Sequence, residues 1–176
     1  MRSLKEYTLR VAGVIEESIV DGPGIRFVLF LQGCKIHCPG CQNPHTWDFE
    51  GGTLVPADEV LARIKGNPLV HGVTFSGGEP FEQAEALLPL AEELKSQGYH
   101  LMAFTGYTME QLLQKPERAA FLEKLDLLVD GPFLEAQKSL DLRFRGSRNQ
   151  RILNIPASRA NGWQAVLDEL NEAVER

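Results

Sequence analysis

Three cysteines, the only ones in the chain, fall within eight residues as Cys34-Lys-Ile-His-Cys38-Pro-Gly-Cys41. One loop can aim all three thiolates at a single site. A structural zinc site wants four ligands and would have to recruit His37 or His45 to complete a Cys₃His set. A four-iron cubane held by three thiolates instead keeps one iron open for a substrate, which turns an electron wire into a catalyst. On the cysteines alone, zinc, an electron-transfer cluster and an open catalytic cluster all stand. A fully paired disulfide framework does not, because the number is odd.

A second chemical signal is Phe75-Ser76-Gly77-Gly78-Glu79-Pro80. Without side chains, Gly77 and Gly78 let the backbone approach a ligand and present its polar groups, while Glu79 can meet an ammonium. Taken in isolation the same residues describe a tight turn that ends a strand. Thr105-Gly-Tyr107 offers two hydroxyls at another strand end, or only a turn with a packed aromatic. Asp130 closes an apolar run and is suited either to a cation or cofactor hydroxyl or to capping the next turn. Arg143, Arg145, Arg148 and Arg151 make a basic stretch fit for a carboxylate or an acidic partner surface, or for plain solvation. His37 and His45 read as orienting or surface histidines, and Trp47 as packing beneath the loop. Gly22-Pro-Gly24 lacks the G-x-G-x-x-G spacing and no G-x-x-x-x-G-K-[ST] occurs, so dinucleotide and nucleoside-triphosphate chemistry gain no support.

The elements that must position these residues alternate between short β-branched or aromatic runs and longer stretches of helical spacing, the pattern of βα units on a mostly parallel sheet. Strands are expected at Leu9–Val14, Phe27–Leu31, Gly72–Phe75, His100–Phe104 and Leu127–Asp130, with a last one at Arg151–Ile155. Helices are expected at Pro56–Lys65, Glu82–Ser96, Thr108–Gln114 and Pro116–Lys124, with a closing helix over Trp163–Val174. Five or six such units are too few for the eight-stranded barrel of ~250 residues, which points to an open, partial βα barrel. In parallel α/β folds chemistry gathers at the C-terminal strand ends, where the cysteine loop, Ser76–Pro80, Thr105–Tyr107 and Gly131–Phe133 all fall.

With 176 residues, 43% of them hydrophobic, the chain can bury one compact core, and no repeat or linker-like tract marks a boundary, so residues 1–176 are expected to form a single domain. Twenty-four acidic against eighteen basic residues, a net charge of −6, argue against a nucleic-acid-binding surface. No apolar run approaches the ~20 residues of a membrane span and the start carries no apolar stretch of signal length, so the expected location is the cytoplasm, away from membranes.

The C-x₃-C-x₂-C spacing together with Gly77-Gly78-Glu79-Pro80 resembles the radical S-adenosylmethionine enzymes. Val20-Asp-Gly-Pro-Gly-Ile-Arg26 and Asn43-Pro-His-Thr-Trp47 narrow the resemblance to the activating enzymes of glycyl radical enzymes. Thr105-Gly-Tyr107, Leu128-Val-Asp-Gly-Pro-Phe133 and Arg145-Gly-Ser-Arg-Asn-Gln-Arg151 are most similar to those that activate anaerobic ribonucleoside-triphosphate reductase. The resemblance runs from about Val20 to Leu153. It implies that Cys34, Cys38 and Cys41 hold a [4Fe–4S] cluster, and that Gly77, Gly78, Glu79, Thr105, Tyr107 and Asp130 serve S-adenosylmethionine. An external donor such as flavodoxin or ferredoxin would reduce the cluster, and the cofactor's cleavage would yield a radical that takes hydrogen from a glycine of the partner enzyme. Gly40 departs from the class, where many relatives carry an aromatic residue against the adenine, so the adenine contact stays unassigned. The rival readings are a radical enzyme acting on a small molecule, such as a deazapurine precursor, and a non-catalytic zinc or iron–sulfur module.

Overall fold

The computed structural model describes residues 3–172. Seven strands form one sheet: β1 (Thr8–Ser18), β2 (Arg26–Leu31), β3 (Thr53–Pro56), β4 (Gly72–Gly77), β5 (His100–Phe104), β6 (Leu127–Asp130) and β7 (Arg151–Asn154). Their order is β3-β1-β2-β4-β5-β6-β7. The central four, β2, β4, β5 and β6, run parallel. β1 is antiparallel to both its neighbours and β7 to β6, so five of the seven strands point one way. The sheet is therefore mixed at its margins and parallel where the crossover helices act.

Alternation along the strands separates two faces. Phe27, Leu29 and Leu31 of β2, Val73 and Phe75 of β4, and Leu101 and Ala103 of β5 point to one side. There they pack with Val60 and Ile64 of α1 (Ala57–Lys65), Leu87, Leu90 and Leu94 of α2 (Ala84–Ser96), and Phe121 and Leu122 of α4 (Pro116–Leu122). The opposite face carries a smaller cluster of Met102, Leu127, Val129, Phe144 and Ile152. It also carries buried Arg26, whose guanidinium donates to Thr74 Oγ1 (2.7 Å), Pro23 O (2.9 Å) and Val73 O (3.0 Å). Helices thus cover one face, and the other is left for a cleft.

The expected helices begin and end close to these limits. α2 starts after a 3₁₀ turn at Pro80–Gln83, and the short α3 (Met109–Leu112) is opened by a capping box between Thr108 and Gln111. β1 extends past Val14 to Ser18, with one register shift between Val11 and Gly13 and a second between Ile15 and Ser18. β3 went unread in the sequence because it is a four-residue edge strand ending in proline, which an edge tolerates.

The closing helix expected at Trp163–Val174 is not formed. A helix, α5 (Ile155–Ala160), follows β7 directly, with the Asn154 side chain accepting from Ala157 N. The chain then turns and runs beside β7, where Asn154 N donates to Val166 O and Asp168 N to Ile152 O, both at 2.9 Å, before a 3₁₀ turn at Glu169–Glu172. Residues 173 and 174 of the expected helix lie outside the described residues. The free edge of β7 wins, because its backbone groups need partners that a separate helix would not supply. Among the described residues no helix is long and apolar enough to cross a membrane.

Candidate metal and cofactor site

The cysteine loop leaves the C-terminal end of β2 and returns to it. Gly33 N donates to Thr46 O (2.6 Å) and Cys34 N to Trp47 O (3.1 Å), closing the neck of the loop. Within it, Cys41 N donates to Cys38 O (3.0 Å) and Asn43 N to Cys41 Sγ (3.4 Å). His37 takes a positive φ of 51° and its ring stacks on Trp47, with centroids 4.4 Å apart and planes within 10°. The indole therefore packs against the loop, as its sequence position suggested. Cys34 is buried, and burial pushes its thiol pKa up.

Gly77 and Gly78 abut this neck. A Cβ on Gly77, whose φ is +98°, would stand 2.5 Å from the backbone N and O of Leu31. One on Gly78 would stand 2.5 Å from Gly33 O and 2.9 Å from Thr46 O. The chain's own backbone, rather than a ligand, is what approaches these two glycines along the missing side-chain directions. Both residues also line the cleft.

Glu79 is 1% exposed. Its Oε1 accepts from Thr105 Oγ1 and Gly106 N, both at 2.8 Å, and its Oε2 accepts from Phe81 N at 3.0 Å. Burial outweighs these donors and lifts its pKa to about 7. Three donors leave part of the carboxylate's four-fold accepting capacity free, and the group borders the cleft.

The cleft has a volume of about 510 Å³ and opens on the face of the sheet without helices. Cys34, Cys38, Cys41, Gly77, Gly78, Glu79 and Thr105 all line it. Phe30, Phe104, Phe133, Leu142 and Phe144 supply apolar wall, and Arg145 a cationic group. Three soft thiol donors, one wall of backbone and carboxylate, and apolar rings fit an iron–sulfur cluster beside a cation-bearing cofactor. Among the described residues no three His, Cys, Asp or Glu side chains are gathered to hold a single metal ion.

Two expected cofactor contacts are absent from the lining. Tyr107 turns its hydroxyl to Glu82 Oε1 (2.5 Å), and its ring lies under Arg118, 4.6 Å from the guanidinium carbon. Asp130 accepts from Met109 N (2.8 Å) and holds Arg151 through two bonds of 2.5 and 3.0 Å. Both residues are engaged by the protein's own groups next to the strand ends. The basic stretch also divides. Arg151 is spent on Asp130 and Glu110, and Arg145 donates to the carbonyls of Arg148, Gln150 and Asn171, while Arg143 and Arg148 are exposed.

The sequence offered no warning of Glu82, which joins Tyr107, Arg118 (3.1 Å) and Lys35 (3.5 Å) behind the cysteine loop. An acid at the start of a helical pattern reads as an ordinary first-turn residue.

Residues 20–153 match the family described as a 4Fe-4S single cluster domain. The anaerobic ribonucleoside-triphosphate reductase-activating protein of Vibrio cholerae is 36% identical over 142 residues, covering 76% of this chain and 90% of that protein. Its namesake in Escherichia coli is 34% identical over 148 residues, covering 78% and 93%. The pyruvate formate-lyase-activating enzyme of Clostridium pasteurianum is 42% identical over 104 residues, 56% of this chain and 44% of that enzyme.

Proposed function

The chain belongs to the 4Fe-4S single cluster domain family and, within it, to the anaerobic ribonucleoside-triphosphate reductase-activating proteins, and from that membership we propose that it generates a glycyl radical on such a reductase. The observation that carries the reading is the convergence of three thiols and the Gly77-Gly78-Glu79 turn on one cleft, beside an apolar wall. When bound, a [4Fe–4S] cluster supplies the electron that cleaves S-adenosylmethionine to methionine and a radical able to abstract hydrogen from a glycine.

The chain's own residues do the rest. Cys34, Cys38 and Cys41, which line the cleft together, would hold the cluster there. Glu79, with one accepting direction free, takes the cofactor's ammonium, and that positive charge offsets the cost of burying the carboxylate. Gly77, Gly78 and Thr105 shape the floor beside it. Phe30, Phe104, Phe133 and Phe144 keep water from the reacting centre. The sheet with helices on one face alone is the open segment of a βα barrel, formed by the whole chain as one domain. The electron comes from an external donor such as reduced flavodoxin or ferredoxin.

The test incubates reduced, reconstituted protein with S-adenosylmethionine and the anaerobic reductase and records the electron paramagnetic resonance spectrum. A glycyl doublet, lost when the reductase glycine is replaced, is the expected result. No protein radical, together with turnover of a small metabolite, overturns the reading.

A further inference from the structure

Gln32 lies between β2 and the first cysteine, outside every motif, and is only 4% exposed. Its Nε2 donates to His45 O (3.0 Å) and to Asp48 O (2.8 Å). Between those carbonyls, Thr46 O and Trp47 O accept from Gly33 N and Cys34 N. Four consecutive carbonyls of the returning limb, residues 45 to 48, are thus caught by three consecutive residues of the outgoing limb. Both neighbours of the amide are acceptors, so its NH₂ and not its oxygen must face them.

Room for this side chain is kept by the Gly51-Gly52 pair. A Cβ at Gly51 would stand 2.7 Å from Gln32 Nε2, and one at Gly52 would stand 3.0 Å from Gln32 Cβ. The limb held in this way carries Trp47, and Trp47 is the surface on which His37 stacks. His37 in turn occupies a left-handed backbone conformation between Cys34 and Cys38, immediately before the latter. Non-glycine residues adopt that conformation at a cost and keep it only where the surroundings hold them there.

We propose that Gln32 is a positioning residue for the cluster ligands: its amide fixes the 45–48 limb, the limb fixes Trp47, and Trp47 fixes the His37 turn that sets Cys34 against Cys38. Gln32 touches neither metal nor cofactor. The inference rests on the reading of the three cysteines as cluster ligands.

Gln32→Glu keeps the shape, removes both donors and sets a carboxylate against two carbonyls. Gln32→Met keeps the length without any charge. Both are made in a Trp163→Phe background, where Trp47 is the only remaining tryptophan. In the metal-free chain, acrylamide quenching of Trp47 is expected to rise in both variants. In the reconstituted chain, iron transfer to a chelator is expected to be roughly 10-fold faster, the scale seen when outer partners of metal ligands are lost. The resonance spectrum of the reduced cluster should change shape while the thermal unfolding midpoint moves by only a few degrees. Should Gln32→Glu fail to fold, Gln32→Met decides alone. Wild-type quenching in the variants overturns the proposal, and so does altered quenching with wild-type iron loss and spectrum, since that is a structural role only. If the unmodified chain takes up no four-iron cluster, the functional reading fails, while Trp47 quenching still reports whether Gln32 holds the limb.

Discussion

Glu79 accepts three hydrogen bonds and still holds its proton up to about pH 7, because desolvation of a carboxylate with 1% exposure outweighs its donors. Its folded pKa lies above the unfolded value of 4.5, so the native state retains a proton that the unfolded chain has released. The stability this contributes is present below the unfolded value and is lost as the pH rises through about 7, a change of about 3 kcal/mol. Urea unfolding of the metal-free chain across that window should show wild-type stability declining relative to Glu79→Gln. His100, whose pKa burial lowers, acts in the opposite direction but equally in both chains, so the difference isolates Glu79. Gly78→Val makes a different demand. Its side chain would strike Gly33 O and Thr46 O, so iron content after anaerobic reconstitution should fall together with cofactor affinity. Retention of a full cluster with only the cofactor lost would show that the side chain had found another path.

Asp130 and Arg151 clasp β6 to β7 at the strand ends, and Asp130 N-terminally anchors α3 through Met109 N. Arg151 is one-third exposed and Asp130 is almost fully buried. Arg151→Met leaves that buried carboxylate with one donor and should cost roughly 2 kcal/mol, less than a wholly buried pair would because the guanidinium is partly solvated. Chemical denaturation measures the loss, and iron content should stay at the wild-type level. A fall in cofactor affinity without a fall in stability would show Asp130 acting at the cofactor and not as a clasp. The helices on the covered face were legible because α1, α2 and α4 each carry apolar residues at helical spacing. The C-terminal segment was not legible. Trp163, Val166, Leu167 and Leu170 also fit a helical spacing, and only the bare backbone of β7 decides that they run alongside a strand.

At the scale of the molecule, that segment is what keeps one margin of the sheet from being open. Asn171 adds to it, with Nδ2 donating to Ile152 O (2.6 Å) and Ile152 N donating to Oδ1 (2.9 Å). A chain ending at Ala160 should expose β7 as a pairing edge and self-associate, which sedimentation velocity would detect as a concentration-dependent shift. A truncated chain that stays monomeric would show the segment to be dispensable cover. The opposite margin, β3, is protected differently, by its four-residue length and by Pro56 at its end.

Local chemistry was the part that the sequence by itself determined. Three thiols within one loop can share a site because the covalent spacing keeps them close, and Gly-Gly-Glu-Pro at a strand end marks a turn that carries a carboxylate. Which polar groups face the cleft was decided by the tertiary structure alone. Thr105 and Tyr107 are two residues apart, yet the first turns to Glu79 at the cleft and the second to Glu82 and Arg118 behind it. Gln32, Glu82 and Asp130 meet partners 13 to 47 positions away, in directions set by strand pairing and loop closure. Sequence spacing reports which side chains can meet along one element. Contacts between elements depend on how the sheet packs, and that is a property of the whole chain.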